Sequence, residues 1–165
     1  MNSQQMLDTV IKPTLAMMSE HGKYDNLDSR ILMLATAAIE SDMGLYNRQI
    51  KGPAVSAFQL EPPTINDIAR NWDAYPKMTE VLRKISCLYD IKSTNLALEC
   101  ETNQRVACLI ARGKYAMDSK RIPGFDDKRG LYEYYKRVYN SAAGASTYMK
   151  WCDAWAKHGL DEVVL

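Results

Sequence analysis

The spacing of apolar residues between Leu27 and Ile39 constrains this chain more than any other feature. Leu27, Ile31, Leu34, Ala35, Ala38 and Ile39 fall at i, i+4, i+7, i+8, i+11 and i+12, which is one face of a helix and no face of a strand. Asn26 or Asp28 can cap the start of this second helix, and Gly44 is a natural stop. A first helix over about 3–19 carries Met6, Val10, Leu15 and Met18, with Pro13 predicting a kink or a break into two pieces. Residues 45–61 read as loop. Pro62-Pro63-Thr64 then opens a short helix to about 71, because proline is tolerated in a first turn.

Tyr75-Pro76 reads as the end of that segment, with another helix over 79–87. Ser93 or Thr94 starts a brief helix, Thr102 caps a longer one to about 117, and Ile122-Pro123-Gly124 reads as a turn. Two further helices are expected over 127–139 and 146–157, the last ending at Gly159. The sequence holds no run of alternating strand residues, no repeat and no low-complexity linker. It predicts one all-α domain over residues 1–165.

Composition bounds the partners. At 165 residues the chain is long enough for one real core, and with 47% hydrophobic and 25% charged residues it is ordinary for a folded protein. The 21 basic and 20 acidic side chains leave a formal charge of +1, which argues against a broad nucleic-acid surface and leaves an uncharged glycan open. Cysteines 87, 100, 108 and 152 form no CxxC pair and no metal-ligand spacing with His21 and His158, so reduced thiols are expected and no metal or cofactor is implied. The start Met-Asn-Ser-Gln-Gln lacks a basic n-region and no apolar run is membrane-length, so neither a signal peptide nor membrane insertion is expected.

Glu40 is the leading candidate for chemistry. It follows the mostly apolar run 31–39, so its carboxyl is expected at the edge of the core, where desolvation favours the neutral acid. The negative end of the helix dipole acts in the same direction. A glutamic acid that keeps its proton can donate it to a leaving oxygen, as glycosidic cleavage requires. The same position also fits a side chain exposed in the last helical turn. Downstream, Gly52-Pro53-Ala54 makes a small-residue segment that lets a bulky ligand approach the backbone. Gln59 has an acceptor and two donors, suited to orienting a sugar N-acetyl group, to hydrogen-bonding the acid, or to tying down loop backbone.

Glu40-Ser41, then Gly52-Pro53-Ala54-Val55-Ser56-Ala57-Phe58-Gln59, then Pro62-Pro63-Thr64 resemble the first two motifs of lysozyme-like lytic transglycosylases. Val138-Tyr139-Asn140-Ser141-Ala142-Ala143-Gly144 is similar to the third. The form also resembles small lysozyme-like proteins of tailed bacteriophages. Ser56 stands where that family usually has its second glycine, and Ser141-Ala142-Ala143 replaces a compact Ala-Gly. The resemblance implies a lysozyme-like helical domain with a substrate cleft at the end of the second helix. It implies cleavage of the MurNAc-β-1,4-GlcNAc bond of peptidoglycan strands, by a lytic transglycosylase or muramidase.

In that reading Glu40 is the acid/base and Ser41 its supporting partner. Gln59 lines the cleft, Tyr139 hydrogen-bonds near the acid, and Asn140 holds its segment in place. In the one-carboxyl version Glu40 protonates the leaving oxygen and then takes the proton of the muramoyl 6-hydroxyl. A hydrolase needs a second carboxylate, and Asp42 and Glu61 are the nearest in sequence; Glu61 also suits the cap of the helix near Thr64. A phage protein without a leader is made in the host cytoplasm, then carried in the virion or released to the periplasm and cell wall. The alternative is a non-catalytic virion protein contacting other virion proteins. Tyr132, Tyr135 and Tyr139 share one helix face that suits core or sugar; Trp151 and Trp155 read as packing, and residues 126–129 as a solvated helix start.

Overall fold

The computed structural model describes residues 1–86, 95–140 and 144–165. Among them the only β-pairings are two isolated bridges, Arg48 with Val55 and Val55 with Leu60. The fold is all-α.

Helix α1 is built from Ser3–Met6, a π-helical turn Leu7–Ile11, and Lys12–Met18. Pro13 does not break it. Proline has no N–H to give the Thr9 carbonyl, and the Arg105 Nε–H supplies that bond at 2.9 Å instead. Helix α2, Leu27–Ser41, starts at a reciprocal cap in which Asn26 and Ser29 each bond the other's backbone N–H. It ends earlier than Gly44. Asp42 and Met43 are both left-handed (φ 55° and 59°), and the Met43 N–H closes onto the Ala37 carbonyl. The fully buried Met43 side chain fixes this stop, and Gly44 only continues the turn.

Helix α3 is Pro62–Asn71, as its prolines predict. Helix α4 is Tyr75–Ser86, which corrects the expectation for Tyr75-Pro76: Pro76 lies in the opening turn, where its missing N–H is no loss, and the break falls at the extended Trp72. The expected start at Ser93 or Thr94 lies outside the described residues; α5, Leu96–Thr102, is capped by Asn95. Helix α6, Gln104–Ala116, is capped by Asn103 and not by Thr102, since the Asn103 Oδ1 reaches the N–H groups of Arg105 and Val106. Asp127 caps α7, Lys128–Tyr135, which runs on as a π-helical turn Lys136–Asn140. Thr147 caps α8, Tyr148–Lys157.

Two helices form the centre. The run from Val106 to Gly113 on α6 is buried on every side, as is 31–38 on α2, so each must be surrounded by other elements. α2 packs against α8, α7 and the π turn of α1, while α6 meets α1, α3, α4 and the turn after α7. Each large aliphatic side chain so enclosed contributes ~1.5–3 kcal/mol of burial. Thr36 and Tyr115 join the two central helices through a buried 2.7 Å hydrogen bond. Behind that bond runs an aromatic stack. Tyr115 lies between Tyr134 (5.7 Å) and Tyr139 (5.0 Å), and Tyr135 between Tyr139 (6.1 Å) and Trp151 (5.1 Å). Cys100 and Cys108 are buried free thiols, and Cys152 is free and partly buried.

Candidate functional site

The end of α2, the 47–61 loop, the start of α3, the end of α6 and the turn after α7 enclose a polar cavity of about 700 Å³, within the range of small-ligand sites. Glu40, Gln59, Glu61, Tyr139 and Asn140 all line it. Ser41 does not.

Glu40 is half-buried on the cavity floor, and the Tyr135 hydroxyl donates to its Oε1 at 2.6 Å. Burial against the aromatic stack pushes its carboxyl above the ordinary range. The Tyr135 bond, the Lys114 charge and the Asn140 side chain pull the other way without cancelling it. The direction is the one that desolvation at the core edge predicts. Tyr135 in turn holds its own proton far more tightly than a free phenol, from burial first and then from the adjacent Glu40 charge.

The tyrosine that meets the acid is therefore Tyr135. Tyr139, expected beside Glu40, points its hydroxyl at the Phe58 carbonyl (2.8 Å) and fastens the cavity wall to the turn after α7. Ser41 likewise braces the wall. Its hydroxyl donates to the carbonyls of Ala37 (3.1 Å) and Ala57 (2.6 Å) and accepts from the Gly44 N–H (2.8 Å). Among the described residues it makes no bond to Glu40. The Asn140 Oδ1 accepts from Lys136 (2.9 Å) and Ser146 (2.8 Å), and Lys136 also reaches the Gly144 carbonyl (2.6 Å). A Cβ at Gly144 would fall 2.0 Å from that same Oδ1, so only glycine fits there. Ser141, Ala142 and Ala143 lie outside the described residues.

Gln59 presents itself to the cavity, but its amide nitrogen donates to the carbonyls of Tyr46 (2.8 Å) and Ser56 (2.9 Å). Of the three roles open to it, the backbone-tying one is filled. Glu61 holds the capping position of α3 yet makes no side-chain cap bond; it is exposed at the cavity edge. Asp42 turns away to Lys157 and His158, both within 2.7 Å, and so leaves the site. Ser56 is fully buried at φ 75°, with its Oγ accepting from the Phe58 N–H (3.2 Å). The position thus keeps the conformation that favours glycine while carrying serine. All five non-glycine residues with positive φ among the described ones, Asp42, Met43, Lys51, Ser56 and Gln59, lie in this one segment. Such backbone strain concentrates at functional sites.

Sequence reasoning missed Lys114, which lines the same cavity. Its ammonium donates to the Tyr139 carbonyl (2.7 Å) and lies 4.2 Å from the centre of the Tyr139 ring. Burial lowers its proton affinity, and the charges of Glu40 and Glu61 restore part of it. A signal existed: Arg112 and Lys114 are the charged residues of an otherwise uncharged stretch from Val106 to Ala116.

Among the described residues no cluster of His, Cys, Asp or Glu could hold a metal, and no helix is long and apolar enough to cross a membrane. The chain matches no protein-family model, no curated protein and no solved structure.

Proposed function

We propose that the chain is a peptidoglycan-cleaving glycosidase that acts on the MurNAc-β-1,4-GlcNAc bond with Glu40 as general acid/base. The reading rests on the sequence motifs, and one structural observation supports it further: a half-buried carboxyl, lining a polar cavity, that burial shifts towards holding its proton. Glu40 gives its proton to the leaving oxygen; the carboxylate so formed accepts the bond from Tyr135 and is stabilised by Lys114. As the bond from the muramoyl C1 to that oxygen breaks, Glu40 removes a proton from the muramoyl 6-hydroxyl or from water, and the oxygen so freed bonds to C1. Glu61, exposed at the edge, is the second carboxylate available to a hydrolytic variant. The proposed setting is a phage protein, carried in the virion or released during lysis.

A second reading, a non-catalytic virion component on the same scaffold, draws support from Gln59, whose amide hydrogens are engaged with loop backbone. Digestion of purified sacculi by wild type and Glu40→Gln, followed by mass spectrometry of released muropeptides, separates the two. The substitution should lower the rate ~10²–10⁴-fold, about 3–5 kcal/mol of barrier. Anhydro-muramoyl products from wild type alone identify a transglycosylase, and reducing ends a muramidase. No release by folded wild type from several wall types overturns the enzymatic reading.

A further inference from the structure

Two positions along a helix turn a side chain by about 200°, so Arg112 projects from α6 away from Lys114. There it lines a separate cavity of about 350 Å³, together with Lys23, Tyr24, Tyr115, Lys120 and Tyr134. Arg112 is 6% exposed, and its protein contacts account for only part of its guanidinium. The Nε–H donates to the Tyr24 carbonyl (3.3 Å), and the group lies 5.4 Å from the centre of the Tyr24 ring. The other four of its five N–H donors, on Nη1 and Nη2, meet no acceptor among the described residues, and neither nitrogen is sealed off. The carboxylates lining this cavity are engaged elsewhere. Asp118 is forked to Arg137 and accepts from the Lys120 N–H; Asp28 accepts from the Phe125 N–H and faces Arg121 at 3.7 Å. Burial lowers the proton affinity of Arg112, and the groups that offset this are tyrosines and Cys108, with no carboxylate among them. A charged guanidinium is thus buried without a counter-ion, where buried charges are ordinarily paired.

We propose that this cavity binds a small oxyanion, a phosphate or carboxylate group gripped by the Nη fork of Arg112. The planar fork matches two oxygens of either group in parallel bonds. Lys23 and Lys120, exposed residues lining the same cavity, add positive charge around the anion. Tyr24 holds the guanidinium from its Nε edge and one face, which leaves the Nη edge as the binding edge. The hydroxyls of Tyr115 and Tyr134 are engaged with Thr36 and with backbone carbonyls, so Arg112 supplies the recognition and the rings supply the wall. The cavity shares no lining residue with that of Glu40, and the inference does not rest on the glycosidase reading.

Isotope-labelled wild type is titrated by NMR with inorganic phosphate and, separately, with acetate, at neutral pH and constant ionic strength, with sodium chloride as the control. One of the two anions should move the Arg112 Nε–H resonance and the backbone amides of Tyr24 and Ile122 along one saturating curve. It should also raise the melting temperature relative to chloride, as a ligand of the folded state does. Arg112→Met should weaken binding ~10–100-fold, as for lost charge-assisted hydrogen bonds. Arg112→Lys, which keeps the charge and loses the fork, should weaken it too, whereas Arg83→Met on the surface of α4 should not. The wild-type resonances decide the matter even if neither Arg112 variant folds. Tighter binding of phosphate assigns the site to a phosphate group and tighter binding of acetate to a carboxylate; either sustains the proposal. Absence of saturation with both anions, shifts that chloride reproduces, shifts remote from this cavity, or full binding by a folded Arg112 variant overturns it.

Discussion

Tyr135 and Glu40 are 95 positions apart in the chain and are joined by a 2.6 Å hydrogen bond. The bond favours the ionised carboxyl, against a burial that favours the acid. Tyr135→Phe removes it, so the Glu40 carboxyl should hold its proton to higher pH. If Glu40 is the acid, the alkaline limb of the pH–rate profile moves upward, and folding stability falls by about 1 kcal/mol for one buried bond. A limb that stays still or moves down contradicts this assignment.

Glu40 should also be a stability liability. Its folded pKa is raised from 4.5, so the folded chain binds more protons than the unfolded one above that value, and stability falls as pH rises through the folded pKa. Glu40→Gln removes the titration. It should stabilise the fold at pH 8 by ~0.5–2 kcal/mol, the scale of other function-relieving substitutions. The gain should shrink towards pH 4. Thermal melts of both proteins across that range measure it.

At Ser56 the backbone wants glycine and the Oγ holds the Phe58 N–H. Ser56→Ala loses that bond and keeps the strain, whereas Ser56→Gly loses the bond and relieves the strain. The glycine variant should be the more stable of the two by ~1 kcal/mol. Urea denaturation of the pair gives the order, and alanine above glycine would refute the strain.

Gly113 marks where α6 touches the end of α3. A Cβ there would sit 2.7 and 2.8 Å from two carbons of the Trp72 ring. Gly113→Ala gains ~1 kcal/mol of helix propensity but incurs ~1–3 kcal/mol of overpacking. A net loss of stability is expected, with altered Trp72 fluorescence. A stabilised variant would show that the ring moves freely.

The helical period at 27–39 and the Pro-Pro start of α3 are local signals, and both elements form where those signals put them. Tyr75-Pro76 is ambiguous because a proline opens a helix as readily as it closes one. Gly44 misleads because a buried Met43 fixes the turn sooner, and side-chain burial is a tertiary fact. The site divides the same way. Glu40 is visible as an acid at the end of an apolar run, a position that equally fits an exposed last turn, and only the packing around it decides between the two. Tyr135 and Tyr139 share a helix face, so no periodicity separates them; the packing beneath α7 decides which hydroxyl reaches the carboxyl. Lys114 stands out only as one of two charges in an otherwise uncharged stretch, and the fold alone shows that it lines two cavities.

The cavity wall is tied within its own loop, by the Ser56 N–H on the Asn47 carbonyl and by Gln59 on the Ser56 carbonyl, and also by distant elements. Residues 56–58 are held by Ser41 through Ala57, by Gln104 through the Ala57 N–H, and by Tyr139 through Phe58. The last two partners are synthesised well after the wall itself, and so is Tyr135. A chain growing from the ribosome carries Glu40 early, but as an ordinary solvated carboxylate. It acquires its altered acidity only when the segment through Tyr139 has emerged and docked. On the glycosidase reading, the nascent protein would be inert, its acid switched on by the completion of folding itself.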